Sequence, residues 1–411
     1  MKTVLKWLGI VLGFVVVIAG CLAAYINFRP DPTYDVALPA FTSVSTPESV
    51  HRGKILVLSL CAECHRDPVT KQLTGRLMQD LPEQFGTAYS RNITQHPTKG
   101  IGAWSDAEIA WLLRTGIHPK TKKYVPAWMV KLPHVSDQDM NAIISFLRSD
   151  DPLVVAADVQ NRESDASLFA KFLMFVGAFK PYDYPTAAIA HPDTTNSVKY
   201  GEYLADNVFA CFACHSKDFA SNDDMTPTKS AGYYGGGNMM PDYNKVLVPT
   251  SNITPDKATG IGAWTEAQFV STMKHGFRPD GSLLRYPMGR LAHVSDHELS
   301  CIYAYLKTIP SISNAVPKPP MPAMSANPSA GEKAYNSYGC VHCHGASGLG
   351  FADLQLADKK YSSDSVLTDV ILHTTTYYPE TAMPAWDGKI KPADLPEIVK
   401  HVRDLGKKSG R

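Results

Sequence analysis

One pentapeptide, Cys-x-x-Cys-His, stands three times in this chain: Cys61-Ala-Glu-Cys64-His65, Cys211-Phe-Ala-Cys214-His215 and Cys340-Val-His-Cys343-His344. Two thiols three positions apart lie about one helical turn from each other. Both can then reach the two vinyl groups of a single porphyrin, and the histidine after them is held beneath its iron. One copy alone fits a redox dithiol or half a zinc site as well. Three copies, using six of the eight cysteines, favour covalent haem over either. The expected cofactor is three haem c groups. Cys61, Cys64, Cys211, Cys214, Cys340 and Cys343 would attach them, with His65, His215 and His344 as proximal iron ligands.

The N-terminus sets the expected compartment. Lys2 and Lys6 precede an uncharged run from Trp7 to Phe28. At 1.5 Å per residue the run reaches about 33 Å, enough to span a bilayer. The positive flank keeps the N-terminus in the cytoplasm and exports the rest, so the expectation is a single-pass anchor with the haem segments in the periplasm. Ile18-Ala19-Gly20-Cys21 also reads as a lipobox, which makes a lipoprotein the alternative, with a cleaved signal as the third. Forty basic residues against 39 acidic leave no polyelectrolyte face for nucleic acid. No phosphate-binding loop or nucleophile–base constellation stands out, so no catalytic residue is assigned. Cys301, inside an apolar helical run, reads as a buried structural thiol.

The chain repeats itself at an offset of about 160 residues. Asn92-Ile-Thr followed by Gly100-Ile-Gly-Ala-Trp104 recurs as Asn252-Ile-Thr followed by Gly260-Ile-Gly-Ala-Trp264. Ser105 with Glu108, and Thr265 with Gln268, form capping boxes for helices ending near Gly116 and Gly276. Met129-x4-His134-Val-Ser-Asp137 recurs as Met288-x4-His293-Val-Ser-Asp296, where Ser136 and Ser295 cap helices ending near Arg148 and Lys307. The second copy has a longer, glycine-rich loop around 222–238. Leu168 to Lys180 reads as a short helical brace, too short for a second membrane span.

The expected fold is all-α, and the chain divides into a membrane anchor (1–30), a first haem domain (31–150), an interdomain helix and linker (151–190), a second haem domain (191–312), a proline-rich linker (313–327) and a third haem domain (328–411). The linker is expected to set the third domain apart from a compact first pair.

A histidine-ligated iron that only carries electrons needs a sixth ligand, and methionine raises its potential. The repeat selects Met129 and Met288, and Met383 matches them by position. Bis-histidine ligation through His118, His134, His275, His293 or His373 is the alternative. His134 and His293 read as structural, His342 as solvent-facing, and Trp104 and Trp264 as core aromatics.

The third segment resembles a class I cytochrome c, from the helix before Cys340 through Met383-Pro-Ala-Trp386 to the last helix. The repeated segments resemble the haem domains of the cytochrome c subunits of membrane-bound alcohol, aldehyde and gluconate dehydrogenases. The shared features are Asn252-Ile-Thr-Pro255, Gly260 to Trp264 and the Met288 loop. The resemblance implies a trihaem cytochrome c without catalysis of its own, an electron-transfer subunit of an oxidoreductase complex in a respiratory chain. Its partners would be a periplasmic dehydrogenase and a quinone or cytochrome acceptor. A peroxidase or reductase with one open iron site, and a haem-based sensor, are the alternatives.

Overall fold

The computed structural model describes residues 2–409 apart from 79–80, 127, 243, 318–320, 351, 379–380 and 382. In chain order, α1 (Lys2–Phe28) is followed by α2 (Pro47–Leu60), α3 (Asp106–Thr115) and α4 (Asp137–Leu147) in the first repeat. The bridging α5 (Leu168–Phe175) leads to α6 (Ser197–Glu202), α7 (Glu266–His275) and α8 (Asp296–Leu306) in the second. The C-terminal segment holds α9 (Ala330–Ser337), α10 (Asp364–Leu372) and α11 (Leu395–Ser409). The chain is predominantly helical but not purely so. Antiparallel ladders join β1 (Gly86–Thr87) to β2 (Asp165–Ala166), and β3 (Met239–Pro241) to β4 (Leu247–Pro249). Both lie in loops, where the backbone needs partners that no helix supplies.

Local chemistry sets the helix ends. Ser105 with Glu108, Thr265 with Gln268 and Ser295 with Glu298 form reciprocal capping boxes, and Ser136 caps α4. Each such cap is worth about 1 kcal/mol. Gly116 and Gly276, at φ 75° and 83°, turn the chain out of α3 and α7. The brace α5 is shorter than the expected 168–180: Gly177 takes φ 74° and stops it at Phe175.

One contact recurs in all three segments. The helix before each pentapeptide crosses the last helix at a glycine. A Cβ on Gly53 would stand 1.9 Å from the Ala142 carbonyl oxygen, and one on Gly201 would stand 1.9 Å from that of Cys301. On Gly331 it would stand 2.2 Å from that of Glu397. Only a residue without a side chain permits this approach. Around these crossings one apolar core runs through both repeats, with Leu56, Met140 and Phe146 from the first and Leu204, Leu299 and Leu306 from the second. A second core fills the C-terminal segment, centred on Tyr335, Val341, Ile398 and Val399.

The repeats meet across a polar seam. Arg52 on α2 pairs with Asp139 on α4 at 2.9 Å and with Glu298 on α8. Tyr203 donates to Asp139 at 2.7 Å, and Tyr200 to Glu298 at 3.2 Å.

The C-terminal segment is not held apart. It packs on the second repeat: Phe277 meets Trp386 edge-on at 5.3 Å, and Asn244 bridges the Val341 carbonyl and the Ala346 amide, each at 3.1 Å. The buried Trp386 ring and these hydrogen bonds hold it against the second repeat. Residues 318–320 of that proline-rich linker lie outside the described residues. Helix α1 is long and apolar enough to cross a membrane, a property that anchors share with signal sequences. Only its end is packed, through Tyr25 and Arg29 against Phe175 of α5.

Candidate haem sites

Each pentapeptide folds as a short helical turn directly after its glycine-bearing helix. In the first, Cys64 and His65 both donate backbone N–H to the Cys61 carbonyl, at 3.1 and 2.8 Å. The second and third begin after left-handed residues, Ala210 at φ 45° and Gly339 at φ 78°. Ser90 Oγ donates to the Cys64 carbonyl at 2.6 Å and pins the end of the first turn. None of the six thiols is in a disulfide. Burial pushes Cys61, Cys211, Cys340 and Cys343 up to about 12 and Cys214 up to about 11. Burial on this scale disfavours the thiolate that redox exchange requires. Among the described residues no three His, Cys, Asp or Glu side chains converge as a closed zinc site requires.

The histidines are prepared to ligate. His65 Nδ1 is 2.7 Å from the Arg91 carbonyl, and His215 Nδ1 is 2.8 Å from the Ser251 carbonyl. A carbonyl accepts only, so Nδ1 carries the proton and Nε2 keeps its lone pair for a metal. Burial lowers both pKa values and keeps the rings neutral. His344 is pushed down to about 4 by burial, opposed by the Ala352 backbone, and its Nδ1 lacks a hydrogen bond of ordinary length.

The Asn-Ile-Thr motif places those carbonyls. Asn92 Oδ1 accepts from the Thr94 amide and hydroxyl at 2.9 and 2.7 Å, and its Nδ2 donates to the Ala157 carbonyl at 3.0 Å. Asn252 repeats the arrangement with Thr254, at the same two distances, and with Ile312, at 2.7 Å. The residue before each asparagine thereby presents its carbonyl to the pentapeptide histidine.

Met129 and Met288 stand in matching turns, with backbone N–H donated to Pro126 and Arg285 at 3.0 Å. Both pack against the core that also holds Cys61 and Cys211, while Met383 packs with Cys340 in the C-terminal core. Met129 and Met288 thus share the joint core of the two repeats with both of its pentapeptides, and Met383 shares the C-terminal core with the third. The histidine alternatives are placed differently. His118 Nδ1 accepts from the amides of Lys120 and Thr121, His373 Nδ1 faces Asp369 at 2.7 Å, and His275 is exposed at the end of α7. His134 is partly buried with an unpartnered Nε2, and His293 is partly buried. Trp104 and Trp264 pack at the core edge as expected. His342 does not face solvent. It is buried, its pKa lowered to about 4 by burial and by Arg285, because the C-terminal segment docks on the second repeat there.

Two residues that the motifs do not flag join the sites. Glu63 lies inside the first pentapeptide, yet after burial its carboxylate is the next influence raising both Cys214 and Cys343. A Cβ on Gly289 would stand 3.4 Å from Glu63 Oε2. Arg290, two residues after Met288, donates to the carbonyls of Thr381 and Met383 at 2.7 and 3.0 Å. It therefore ties one methionine loop to another. The carboxylate of the first pentapeptide thus acts on a cysteine of each of the other two and lies beside the Met288 loop, which Arg290 ties to the Met383 loop. A cavity of about 240 Å³ is lined by Arg76, Tyr89 and Arg162 of the first half and by Gly350 of the C-terminal segment. No spacing in the sequence announces these meetings, since each joins residues from different segments.

This donor set fits haem: neutral imidazoles with free Nε2, apolar thiol pairs one turn apart, and a thioether in the same core. Comparison with known proteins agrees. A family model described as Cytochrome c matches residues 50–150, and one described as Cytochrome C oxidase, cbb3-type, subunit III matches residues 326–402. The cytochrome c subunit of alcohol dehydrogenase (quinone) from Gluconacetobacter polyoxogenes is 25% identical, over 84% of this chain and 77% of that protein. The fructose dehydrogenase cytochrome subunit of Gluconobacter japonicus is 27% identical, over 71% of this chain and 57% of that protein. A nicotinate dehydrogenase subunit of Pseudomonas putida is 27% identical over 84% of this chain, which spans only 28% of that protein's length.

Proposed function

Because this chain belongs to the multihaem c-type cytochromes, we propose that it holds three haem c groups and relays single electrons from a periplasmic dehydrogenase to the quinone pool or a terminal acceptor. Bound haem supplies a one-electron iron couple whose potential a methionine sulfur raises. The chain's residues do the rest. Cys61 and Cys64, Cys211 and Cys214, and Cys340 and Cys343 fix each porphyrin by two thioethers. His65, His215 and His344 would hold the iron through their imidazoles, and Met129, Met288 and Met383 would supply a sulfur ligand to each. The Arg91 and Ser251 carbonyls hold the first two imidazoles in one tautomer.

The convergence around Glu63 and the Met288–Arg290 loop carries this reading. A relay needs its centres close and rigidly related, whereas three independent sites would have no reason to share a carboxylate. The names of the alcohol and fructose dehydrogenase relatives support a dehydrogenase as partner. Exposed Phe169 and Phe172 on α5, beside the packed end of α1, support an anchored chain with its first haem segment at the membrane surface.

Intact mass and a pyridine haemochrome assay test the cofactor count. Both should give three haems per chain, and two or fewer in a matured sample ends the reading. Failure of the reduced protein to bind carbon monoxide and of the oxidised protein to bind cyanide separates a carrier from a peroxidase, reductase or sensor.

A further inference from the structure

The second repeat contains a buried polar cluster that the first lacks. Gly53 to Cys61 is eight positions, while Gly201 to Cys211 is ten. The two extra residues are taken up where α6 continues as a π-helical segment, Tyr203–Val208, and that segment carries Asp206. Such insertions in helices cluster at functional sites. Asp206 is 7% exposed and is met by three phenols. Tyr233 donates to its two oxygens at 2.7 and 2.6 Å, Tyr234 to Oδ1 at 2.6 Å and Tyr305 to Oδ2 at 2.9 Å.

The first repeat fills the same space with hydrocarbon. Ile253 bonds the Tyr234 carbonyl as Ile93 bonds that of Leu73, so Tyr234 stands where Leu73 stands. Gly201 crosses beside Tyr305 as Gly53 crosses beside Phe146, so Tyr305 replaces Phe146. Leu73 and Phe146 are both fully buried. The scaffold therefore packs without a carboxylate at this place, and stability does not require one. A buried carboxylate with its phenols is costly to keep unless it serves a purpose.

We infer that Asp206, with Tyr233, Tyr234 and Tyr305, forms a proton-binding site coupled to the redox state of the second haem site. The inference rests on haem attachment at Cys211–His215. Asp206 is close enough for its charge to raise the Cys211 thiol. The groups that face it are Tyr233 and Tyr234 from the loop, Tyr305 from α8 and Cys211 at the start of the pentapeptide, with Glu202 acting on Tyr305. All are neutral or acidic. Burial raises its pKa against the pull of the three phenols. Tyr233, only partly buried, gives the proton a way to solvent.

The balance is one electron and one proton. When an electron arrives at the iron, the site gains a negative charge, and Asp206 takes one proton from solvent onto a carboxyl oxygen. When the electron leaves, that proton returns to solvent. Reduction thus raises the carboxyl pKa, so the midpoint potential of this centre falls as pH rises between the oxidised-state and reduced-state values. At full coupling the reduction equilibrium changes tenfold per pH unit, or about 59 mV for one electron.

The test is anaerobic redox titration of the holoprotein between about pH 5 and 9, with proton uptake on reduction followed by a dye in weak buffer. One centre of the wild type should show the pH-dependent potential. Asp206→Asn should flatten it and abolish the matching proton uptake, leaving the other centres unmoved. Tyr233→Phe, which keeps the ring packing, should shift the pH window and guards against misfolding of the first variant. Potentials independent of pH, or an unchanged slope in Asp206→Asn, overturn the inference. A haemochrome count below three would instead strike the haem assignment, so the two failures are distinguishable.

Discussion

Gly53, Gly201 and Gly331 show how one missing side chain organises a segment. Alanine in place of glycine adds about 1 kcal/mol of helix preference. At these positions the new Cβ would meet a backbone oxygen about 2 Å away, which no rotamer change relieves. Overpacking of this kind costs about 1–3 kcal/mol and more when backbone must move. Gly53→Ala and Gly201→Ala should therefore lower the melting temperature, whereas alanine at exposed Gly281 is limited by its own φ of 80° and not by packing. At the methionines the expected change is spectroscopic. Met288→Ala should remove part of the sulfur-to-iron charge-transfer band of the oxidised protein, and Met129→Ala a further part. An unchanged spectrum would return that iron to histidine ligation. The proposed attachment cysteines and the histidines after them stand out in sequence because covalent haem attachment would dictate their spacing. The repeat makes Met129 and Met288 legible as a pair. Glu63 and Arg290 are not, since their importance depends on which distant loops fold beside them.

Among elements, the seam between the repeats carries a pH-sensitive contact. Burial alone would raise the Glu298 carboxyl, but Arg52 and Ser295 hold it below its ordinary 4.5. The folded chain thus binds this proton more weakly than the unfolded chain does. The resulting stability is complete above about pH 4.5 and is lost as pH falls through the lower folded value. Arg52→Met should leave Asp139 and Glu298 buried without their cation and cost about 3 kcal/mol, the low end for a buried pair because Arg52 is one-fifth exposed. Denaturant melts from pH 7 to about 3 should show the wild type keeping its advantage over the variant down to about pH 4.5 and losing it below. The helices flanking this seam are readable from their caps, since a hydroxyl followed three positions later by an acid or amide announces a helix start. The π-helical turn after α6 is not, because nothing local distinguishes two extra residues in an apolar run from two more helical ones. The end of α5 escapes the sequence for a related reason: Gly177 reads as tolerable inside a short helix until its φ is known.

At the scale of the whole molecule, the repeat is plain in the sequence and the docking of the third segment is not. Prolines in a linker describe only the connection, while Phe277, Asn244 and Arg290 decide whether the C-terminal segment beyond it is held. A protease nick between Met321 and Pro328 should accordingly leave both fragments together on gel filtration in native buffer. Combining Phe277→Ala with Arg290→Ala should let them separate, and release of the fragment from the unsubstituted nicked chain would refute docking. On the proposed assignment, the shared neighbourhood of Glu63 also changes what kind of circuit the chain is. Centres arranged in file make a wire, in which losing any member stops the current. Centres that all feel the charge of one carboxylate can form a junction, in which an electron entering at one has two exits and a damaged member diverts traffic. Such a chain could serve two donors, or two acceptors, without rearranging.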